Sequence, residues 1–277
     1  MSKKIQLKAS KFSGLGNKIL LVDLIKQHGE INLDSVINIV KEKRLKFDQL
    51  ISIESPHDPE LDLNVKIFNK DGSRAENCVN GARCLAKYVS DSGLISKKKF
   101  LVGVGEKVWK IYCHENDEYS VEQEAPNFLE GKHLLPKPDS KNQHQITISK
   151  IPITISYVNL GNPHAIFFTS DIYKKPLEIW GKELQNSEWF PKGINFGLAE
   201  ILSPTSLALR VYERGVGETL ACGSSACAAV VLGNHLELCK ENVGVVFKTG
   251  TLNIRYQKTS GRLTAKGTAE FLGNLMI

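Results

Sequence analysis

The sequence predicts an α+β protein built from two similar units. The chain has 277 residues, enough for two domains of about 100–150 residues each. A short motif with two cysteines occurs twice, as ENCVNGARC at 76–84 and as LACGSSAC at 220–227. A short strand pattern and a turn precede each motif, and a helical pattern follows its first cysteine. We infer that one strand–turn–helix unit has been duplicated.

The repeat extends beyond these two cysteine motifs. Cys78 and Cys222 lie 144 positions apart, and residues around them match at that offset. The matched pairs are Lys66 and Arg210, Ile67 and Val211, Phe68 and Tyr212, Lys70 and Arg214, and Ala82 and Ala226. The tripeptide LGN at 15–17 recurs at 160–162, an offset of 145. Two matched segments at almost the same offset indicate homologous halves.

The first half contains a strand, a turn and a helix in that order. Residues 63–68 are half-alternating, which predicts a short strand, and the Asp-Gly pair at 71–72 predicts a turn. Residues 81–91 have helical spacing, and Gly93 is a plausible helix stop. The predicted apolar face of this helix consists of Leu85, Tyr88 and Val89.

The second half repeats the order. Residues 207–212 predict the strand, Gly215 and Gly217 the turn, and residues 224–238 the helix. This helix is almost wholly apolar around 226–232, so we expect it to be buried at the centre of its domain. Further strands are predicted within 145–158 and 244–256, and residues 126–142 predict a linker or long loop.

Composition narrows the functional classes. The formal charge of +6 is modest, the lysines are scattered, and the densest run, at 97–99, is expected to be a solvated loop; we expect no nucleic-acid partner. No apolar run approaches the length of a membrane span, and the first residues lack the long apolar stretch of a signal peptide. We therefore expect a cytoplasmic protein without a membrane partner.

The six cysteines are expected to be thiols, because no secretory signal accompanies them. Their closest spacings, C-x5-C and C-x4-C, differ from the tight pairs of zinc sites, so no metal is expected. Cysteine is also a common small residue of protein cores, and we expect four of the six cysteines to have only this packing role. Those four are Cys84, Cys113, Cys227 and Cys239.

Cys78 and Cys222 each stand at the predicted start of a helix. Helix N-termini favour negative charge, so we expect a lowered thiol pKa there and a place for a substrate carboxylate. If the halves fold together, a carboxylate between the two helix starts would present its α-carbon to both thiols. Inversion of a stereocentre needs one base and one acid on opposite faces of the carbon. Two copies of the cysteine motif would supply one thiol for each role.

The sequence resembles the diaminopimelate epimerase family over nearly its whole length. The shared motifs are GLGN at 14–17, FDQ at 47–49, FNKDGS at 68–73, NGARC at 80–84, GNPH at 161–164, VYERGVGET at 211–219 and ACGSSAC at 221–227. The resemblance implies cofactor-independent interconversion of LL- and meso-2,6-diaminopimelate, a precursor of lysine and peptidoglycan. It also implies a homodimer, with no cofactor.

The resemblance implies domains at 1–122, joined by a returning C-terminal strand at 267–277, and at 123–266. Each would be a mostly antiparallel sheet wrapped around a central helix, with the active site in the cleft between the two domains. The implied catalytic residues are Cys78, Cys222, His164 and Glu213. The implied substrate-binding residues are Asn17, Gln49, Asn69, Val79, Asn80, Asn162, Asn195, Glu213, Arg214, Gly223 and Ser224. Cys222 would be the base and Cys78 the donor in the LL-to-meso direction.

Three positions depart from the family pattern: Lys18 replaces an aspartate, and Val79 and Ser225 replace glycines. Considered one at a time, several of these residues could also have a purely structural role. Asn17 and Asn162 stand beside glycines as turn formers do, His164 could be a loop residue, and Arg214 with Glu213 could be an exposed ion pair. The alternative functions are a related histidine or proline racemase, an amino-acid-binding protein without catalysis, and a thiol redox protein.

Overall fold

A computed structural model describes residues 6–43, 45–75, 77–129 and 134–277 of the chain. The chain divides into two compact units, one formed by Met1–Glu122 with Lys266–Ile277 and the other by Gln123–Ala265. Strands dominate both units, and each has one long buried helix against its sheet. The predicted α+β class and the two similar halves are confirmed.

The described residues of the first unit form a series of strands and two helices. They are β1 (Lys8–Gly14), β2 (Asn17–Asp23), α1 (Leu33–Lys43), β3 (Gln49–Glu54), β4 (Leu63–Asn69), β5 (Arg74–Ala75), α2 (Val79–Ser92), β6 (Lys99–Val104), β7 (Lys107–Cys113), β8 (Glu118–Gln123) and β18 (Glu270–Met276). Most neighbours are antiparallel, including β1 with β2 and β18, β3 with β4, and β6 with β7. The pairs β2–β3 and β4–β6 are parallel.

Helix α2 is the centre of this unit. Its residues Ala82, Leu85 and Val89 are buried with Ile19 and Ile51 of the sheet in one apolar cluster. The predicted strand, turn and helix are confirmed, although α2 starts at Val79 rather than at 81, because Cys78 caps it. Gly93 ends the helix in the left-handed conformation, with φ 63°, as predicted.

The opposite face of the same sheet is buried by α1, a helix that the sequence did not reveal. Leu20 and Leu50 alternate with the residues that face α2, and they pack with Val36 of α1. Because both faces are covered, β2 reads as a continuous apolar run instead of an alternating one. The sequence of β2 therefore does not show which of its side chains face α1 and which face α2.

The second unit repeats this plan with its own helices. Its elements are β9 (Gln143–Ile148), β10 (Ile151–Asn159), β11 (Pro163–Phe168), the 3-10 helix Ile172–Lys174, α3 (Leu177–Gln185), β12 (Asn195–Ser203), β13 (Ser206–Glu213), β14 (Gly217–Thr219), α4 (Gly223–His235), β15 (Asn242–Phe247) and β16 (Gly250–Gln257). The chain passes from this unit to the first within β17 (Arg262–Thr268). As in the first unit, parallel pairs, here β11–β12 and β13–β15, interrupt a mostly antiparallel order.

Helix α4 is almost entirely buried, as its composition predicted. Residues 226–232 are each no more than 2% exposed. The prediction that this helix continues to Leu238 is wrong, since α4 ends at His235 and Glu237 takes a left-handed φ of 61°. That reversal lets the backbone N–H of Leu238 donate to the carbonyl of Gly233 at 2.8 Å.

The predicted linker at 126–142 lies partly outside the described residues, which omit 130–133. Over the remainder the structure shows no helix or long strand, only a single bridge between Asn127 and Asn159. Among the described residues, no helix combines the length and apolar character needed to cross a bilayer.

The left-handed stop at Gly93 supplies a stability test. No atom lies within 4 Å of the position that a Cβ would take there, so Gly93→Ala adds backbone strain without a clash. We expect the variant to lose about 1 kcal/mol of unfolding free energy in urea titrations. Gly93→Asn is the matched control and should lose less, because asparagine tolerates this conformation. An unchanged alanine variant would contradict the capping role.

Candidate functional site

In the first unit, three amide side chains stand at one end of the sheet face that covers α2. Gln49 pairs with Ile19 on one side and with Asn69 on the other, so these side chains share a face. Asn17 lies two residues before Ile19 and therefore points the same way. Ile51 continues this face against α2. The sheet thus brings Asn17, Gln49 and Asn69 together.

These amides are only partly satisfied. Gln49 Nε2 donates to Asn69 Oδ1 at 3.0 Å, and Asn69 Nδ2 donates to Ser73 Oγ at 3.0 Å. Asn17 Oδ1 and Gln49 Oε1 are buried and have no hydrogen-bond partner among the residues described. An acceptor left in that state costs about 1–3 kcal/mol. The end of this face therefore suits a ligand that donates, such as an ammonium group.

Cys78 is the N-cap of α2. Its Sγ accepts a hydrogen bond from the backbone N–H of Gly81 at 3.1 Å, and its carbonyl accepts the first helical bond, from Ala82, at 2.9 Å. An N–H that donates to the sulfur favours negative charge there. A Cβ at Gly81 would come within 2.6 Å of Ile51 Cδ1 and 3.1 Å of Cys78 Sγ, so a larger residue there would require the Ile51 side chain to shift.

The start of α2 is held by an arginine that the sequence analysis missed. Arg83 is fully buried, and its guanidinium donates to Asn80 Oδ1 at 2.7 Å and to the Val79 carbonyl at 3.3 Å. It also donates to the Thr268 carbonyl at 3.4 Å. The sequence signal that could have indicated this role was an arginine among the small and apolar residues of the NGARC motif, because a buried cation needs hydrogen-bond partners.

The second unit places its polar residues in the corresponding positions. His164 pairs with Asn195 as Ile19 pairs with Gln49, and the β12–β13 register, continued by one residue, sets Asn195 opposite Glu213. Asn195 Oδ1 accepts from the Arg214 backbone N–H at 3.0 Å, and its Nδ2 donates to the Pro163 carbonyl at 3.2 Å. The sheet of the second unit therefore also has a group of polar side chains at the end of one face, formed by His164, Asn195 and Glu213.

Two further residues hold Glu213. The Thr219 hydroxyl donates to Glu213 Oε1 at 2.5 Å, and Gln185 Nε2 donates to the Glu213 carbonyl at 2.9 Å. Gln185 Oε1 also accepts from the backbone N–H of Gly215 at 3.3 Å. Thr219 belongs to the VYERGVGET motif and could have been noticed, whereas Gln185 comes from α3 and left no signal in the sequence.

His164 is fully buried in β11, so the interpretation of it as a surface loop residue is wrong. Burial, with a smaller contribution from the Arg214 cation, lowers the pKa of His164 to about 3. Its Nε2 lies 3.0 Å from Asn162 Oδ1 and its Nδ1 lies 3.2 Å from Ser225 Oγ. A neutral imidazole with both nitrogens engaged is a fixed polar group of this face.

Cys222 caps α4 and differs from Cys78. It is 6% exposed, the Ser224 hydroxyl lies 3.4 Å from its sulfur, and the side chain and backbone N–H of Ser225 also interact with that sulfur. Burial raises the pKa of Cys222, and the Glu213 carboxylate raises it further, while Ser224 and Ser225 lower it less. The expectation of a lowered pKa is therefore wrong for this thiol, because desolvation outweighs the helix N-terminus.

Helix α4 begins in the same way as α2. It starts at Gly223, and its first helical bond runs from the Ala226 N–H to the Cys222 carbonyl at 3.0 Å. In both helices the N–H groups of the first turn lie outside the helical ladder. These include the amides of Val79, Asn80, Gly223 and Ser224. Each helix start is therefore suited to a carboxylate.

Arg214 lies outside the buried part of this face. Its side chain is exposed, and its guanidinium makes no hydrogen bond or salt bridge to any residue that the structure describes. Because guanidinium presents a planar fork of donors, it suits a carboxylate from a ligand.

The three departures have distinct surroundings. Lys18 is exposed and points away from the Asn17 face, while its backbone N–H donates to Asp48 Oδ2 at 2.7 Å. Val79 has no positive φ, so a glycine is not required at that position. Ser225 is buried and reaches His164.

The other cysteines fit a packing role. Cys84, Cys227 and Cys239 are buried, Cys113 is half-buried, and burial raises the pKa of Cys84 to about 12. All six cysteines lie in the described ranges and are thiols rather than halves of a disulfide. Within those ranges no three histidine, cysteine or carboxylate side chains cluster as metal ligands would.

Comparison with known proteins identifies the source of the resemblance. The sequence profile of the diaminopimelate epimerase family matches residues 9–129 and 156–272, which is most of both halves. The match covers Cys78 and Cys222 together with the polar residues of both sheet faces.

Solved structures share the fold at low identity. A hydroxyproline epimerase from Agrobacterium vitis with bound trans-4-hydroxy-L-proline has a TM-score of 0.73 at 12% identity, covering 100% of this chain and 94% of that one. A phenazine biosynthesis protein of the PhzF family from Bacillus anthracis has a TM-score of 0.69 at 15% identity, and the match covers 99% of both chains. A predicted epimerase from Pseudomonas aeruginosa has a TM-score of 0.71 at 13% identity, and the match covers 98% of this chain and 99% of that one. These likenesses show the fold alone.

The buried His164 predicts an acid-sensitive fold. Its folded pKa of about 3 lies below the value of about 6.5 in an unfolded chain, so the unfolded state takes up the proton first. Its contribution is complete above about pH 6.5 and is lost as the pH falls toward 3. Between about pH 7.5 and pH 5, wild type should lose about 2 kcal/mol more unfolding free energy than His164→Gln. Urea titrations of both proteins measure the difference, and parallel curves would contradict the buried neutral histidine.

Proposed function

We propose that this chain, which belongs to the diaminopimelate epimerase family, interconverts LL- and meso-2,6-diaminopimelate with two thiols as acid and base and without an added cofactor. The observation that carries the proposal is the matched placement of Cys78 and Cys222, each the N-cap of the central helix of one homologous unit. Inversion needs two proton-transfer groups, and the duplication supplies two of one kind.

The chemistry balances without an oxidant or a metal. One cysteine, as thiolate, removes the α-proton and becomes a thiol, while the other thiol delivers its proton to the opposite face and becomes a thiolate. The reverse reaction uses the same groups with their roles exchanged. A raised pKa favours the thiol form of Cys222, and it also makes its thiolate a stronger base once that has formed.

The reacting carboxylate would bind to the helix starts. The backbone N–H groups of Val79, Asn80, Gly223 and Ser224 belong to the first turns of α2 and α4, where the helix dipole favours an anion. Bonds to the carboxylate would also stabilise the charge that develops when the α-proton leaves.

The distal end of the substrate carries a second carboxylate and a second ammonium. Arg214 would bind the carboxylate, because its guanidinium is exposed and has no other partner among the described residues. Oxygen acceptors would bind the ammonium, and the buried acceptors Asn17 Oδ1 and Gln49 Oε1 support such a ligand. The remaining proposed binding residues are Asn69, Asn162, Asn195 and Glu213.

His164 and Glu213 would tune the thiols. Glu213 raises the pKa of Cys222, and Thr219 holds its carboxylate in place. His164 stays neutral and offers a polar group without charge on the face beside α4. We further propose a cytoplasmic protein that acts as a homodimer.

A second candidate is a racemase of another amino acid. It is favoured by the fold shared with the hydroxyproline epimerase and with a probable proline racemase from Agrobacterium radiobacter, the latter at a TM-score of 0.71 and 9% identity. Such substrates have no second amino-acid end, so they give Arg214 no carboxylate to bind. Substrate preference therefore distinguishes the two candidates.

The decisive experiment incubates purified protein with LL-diaminopimelate in D2O, without pyridoxal phosphate or metal. The proposal predicts meso product with deuterium at the inverted carbon. Parallel reactions with L-proline and L-histidine test the second candidate. Binding without exchange would indicate a non-catalytic binding protein, and loss of thiols without exchange would indicate a redox protein.

The two-thiol mechanism predicts that Cys78→Ser and Cys222→Ser each reduce epimerisation to below about a tenth of wild type, a loss above 1.4 kcal/mol. Serine is too weak an acid to act as the base near neutral pH. Each variant keeps one thiol and should wash deuterium slowly into one stereoisomer, a different one for each variant. Cys113→Ser is the control, since Cys113 is half-buried in β7 and should leave activity intact. A single variant that kept more than a tenth would contradict the mechanism.

Arg214→Ala should lower kcat/KM for diaminopimelate by about 10- to 100-fold, because a hydrogen-bonded charge contributes roughly 1.5–3 kcal/mol. Steady-state kinetics with both stereoisomers measure the loss. The matched control is Arg255→Ala, which removes an exposed arginine of the same unit in β16. A loss below threefold would count against the diaminopimelate assignment while leaving epimerisation itself intact.

A further inference from the structure

The two homologous units differ at two positions that touch in the second unit. Where the first unit has Ile19 in the strand and Gly81 in the first helical turn, the second has His164 and Ser225. Ser225 Oγ lies 3.2 Å from His164 Nδ1, and both residues are no more than 1% exposed. An isoleucine and a glycine make no such bond. The second unit therefore contains a polar contact that its counterpart lacks.

The chemistry of the partners fixes the direction of the hydrogen bonds. Asn162 Oδ1 accepts only, so the proton on the imidazole must be on Nε2, which lies 3.0 Å from that oxygen. His164 is buried and neutral, so its Nδ1 carries a lone pair and accepts. The Ser225 hydroxyl is then the donor to Nδ1. The three side chains form one chain that runs from Ser225 through His164 to Asn162.

The chain of bonds determines which end of the Asn162 amide is available. With its oxygen engaged by His164, Asn162 has its NH2 group left for a ligand. The homologous Asn17 has the opposite polarity, since its neighbour Ile19 offers no donor and its Oδ1 has no partner among the described residues. One amide at the same place in two homologous units thus becomes a donor in one and an acceptor in the other.

We propose that Ser225 is a positioning residue that donates to His164 Nδ1, so that the Nε2–H tautomer of His164 and the Asn162 amide with its oxygen toward His164 stabilise each other, and the Asn162 NH2 is left to face the ligand. The second unit then offers donors, Asn162 Nδ2 and the Arg214 guanidinium, that suit a carboxylate. The first unit offers acceptors that suit an ammonium. This inference rests on the proposed function only for the identity of the ligand, because the tautomer belongs to the protein alone.

The test is 15N NMR of histidine-labelled protein without substrate. The chain has seven histidines, and His164→Gln assigns the signals of His164 by their loss. Wild type should show a single neutral tautomer with the proton on Nε2 and a hydrogen-bonded Nδ1. In Ser225→Ala, Nδ1 should shift toward the value of a nitrogen that accepts no bond, and the other tautomer should appear. Ser225→Gly, which copies Gly81, should give the same result, and thermal unfolding confirms that each variant folds.

Ser224→Ala is the matched control, because its hydroxyl contacts Cys222 rather than His164 and its loss should leave the His164 signals unchanged. An Nδ1–H tautomer in wild type, or identical His164 signals in wild type and both Ser225 variants, would overturn the inference. If the protein failed to epimerise diaminopimelate but the tautomer behaved as expected, the proposed function would fail and the inference would stand.

Discussion

The start of each central helix is the constraint on which the rest of the structure depends. A helix wrapped by a sheet buries its side chains, yet its first N–H groups still need partners. Cys78 and Cys222 occupy these starts, and small residues follow them, such as Gly81 and Gly223. The strands around each helix end at the same level and bring their polar side chains there. A buried helix N-terminus with unpaired first-turn N–H groups favours an anion at that place.

Duplication gave the two units one plan, but burial made their thiols different. The Cys78 sulfur is half-buried and accepts a backbone N–H, whereas the Cys222 sulfur is desolvated beside Glu213. The strand position that holds Glu213 in the second unit holds Asn69, a neutral amide, in the first. Two identical side chains at homologous positions therefore lie in different surroundings.

Several polar side chains of the two candidate faces are held by neighbours from other elements. Thr219 and Gln185 hold Glu213, Arg83 holds Asn80, and Ser73 holds Asn69. Such contacts keep an amide or carboxylate in one orientation, and a fixed orientation decides whether an amide donates or accepts. They come from helices and turns at different distances along the chain, and tertiary packing joins them.

The sequence by itself determined the duplication, the α+β class, the strand–turn–helix order and the helix starts at the two cysteines. The duplication follows from motifs repeated at offsets of 144 and 145, and the others follow from periodicity and turn residues, which act over a few positions. It did not determine α1 and α3, the end of α4 at His235, the burial of His164 or the raised pKa of Cys222. Those depend on what lies across a sheet face, where contacts join residues far apart in the chain, such as His164 and Ser225. Only the tertiary structure decides desolvation and hydrogen-bond partners, because both are set by the surrounding atoms rather than by the residue itself.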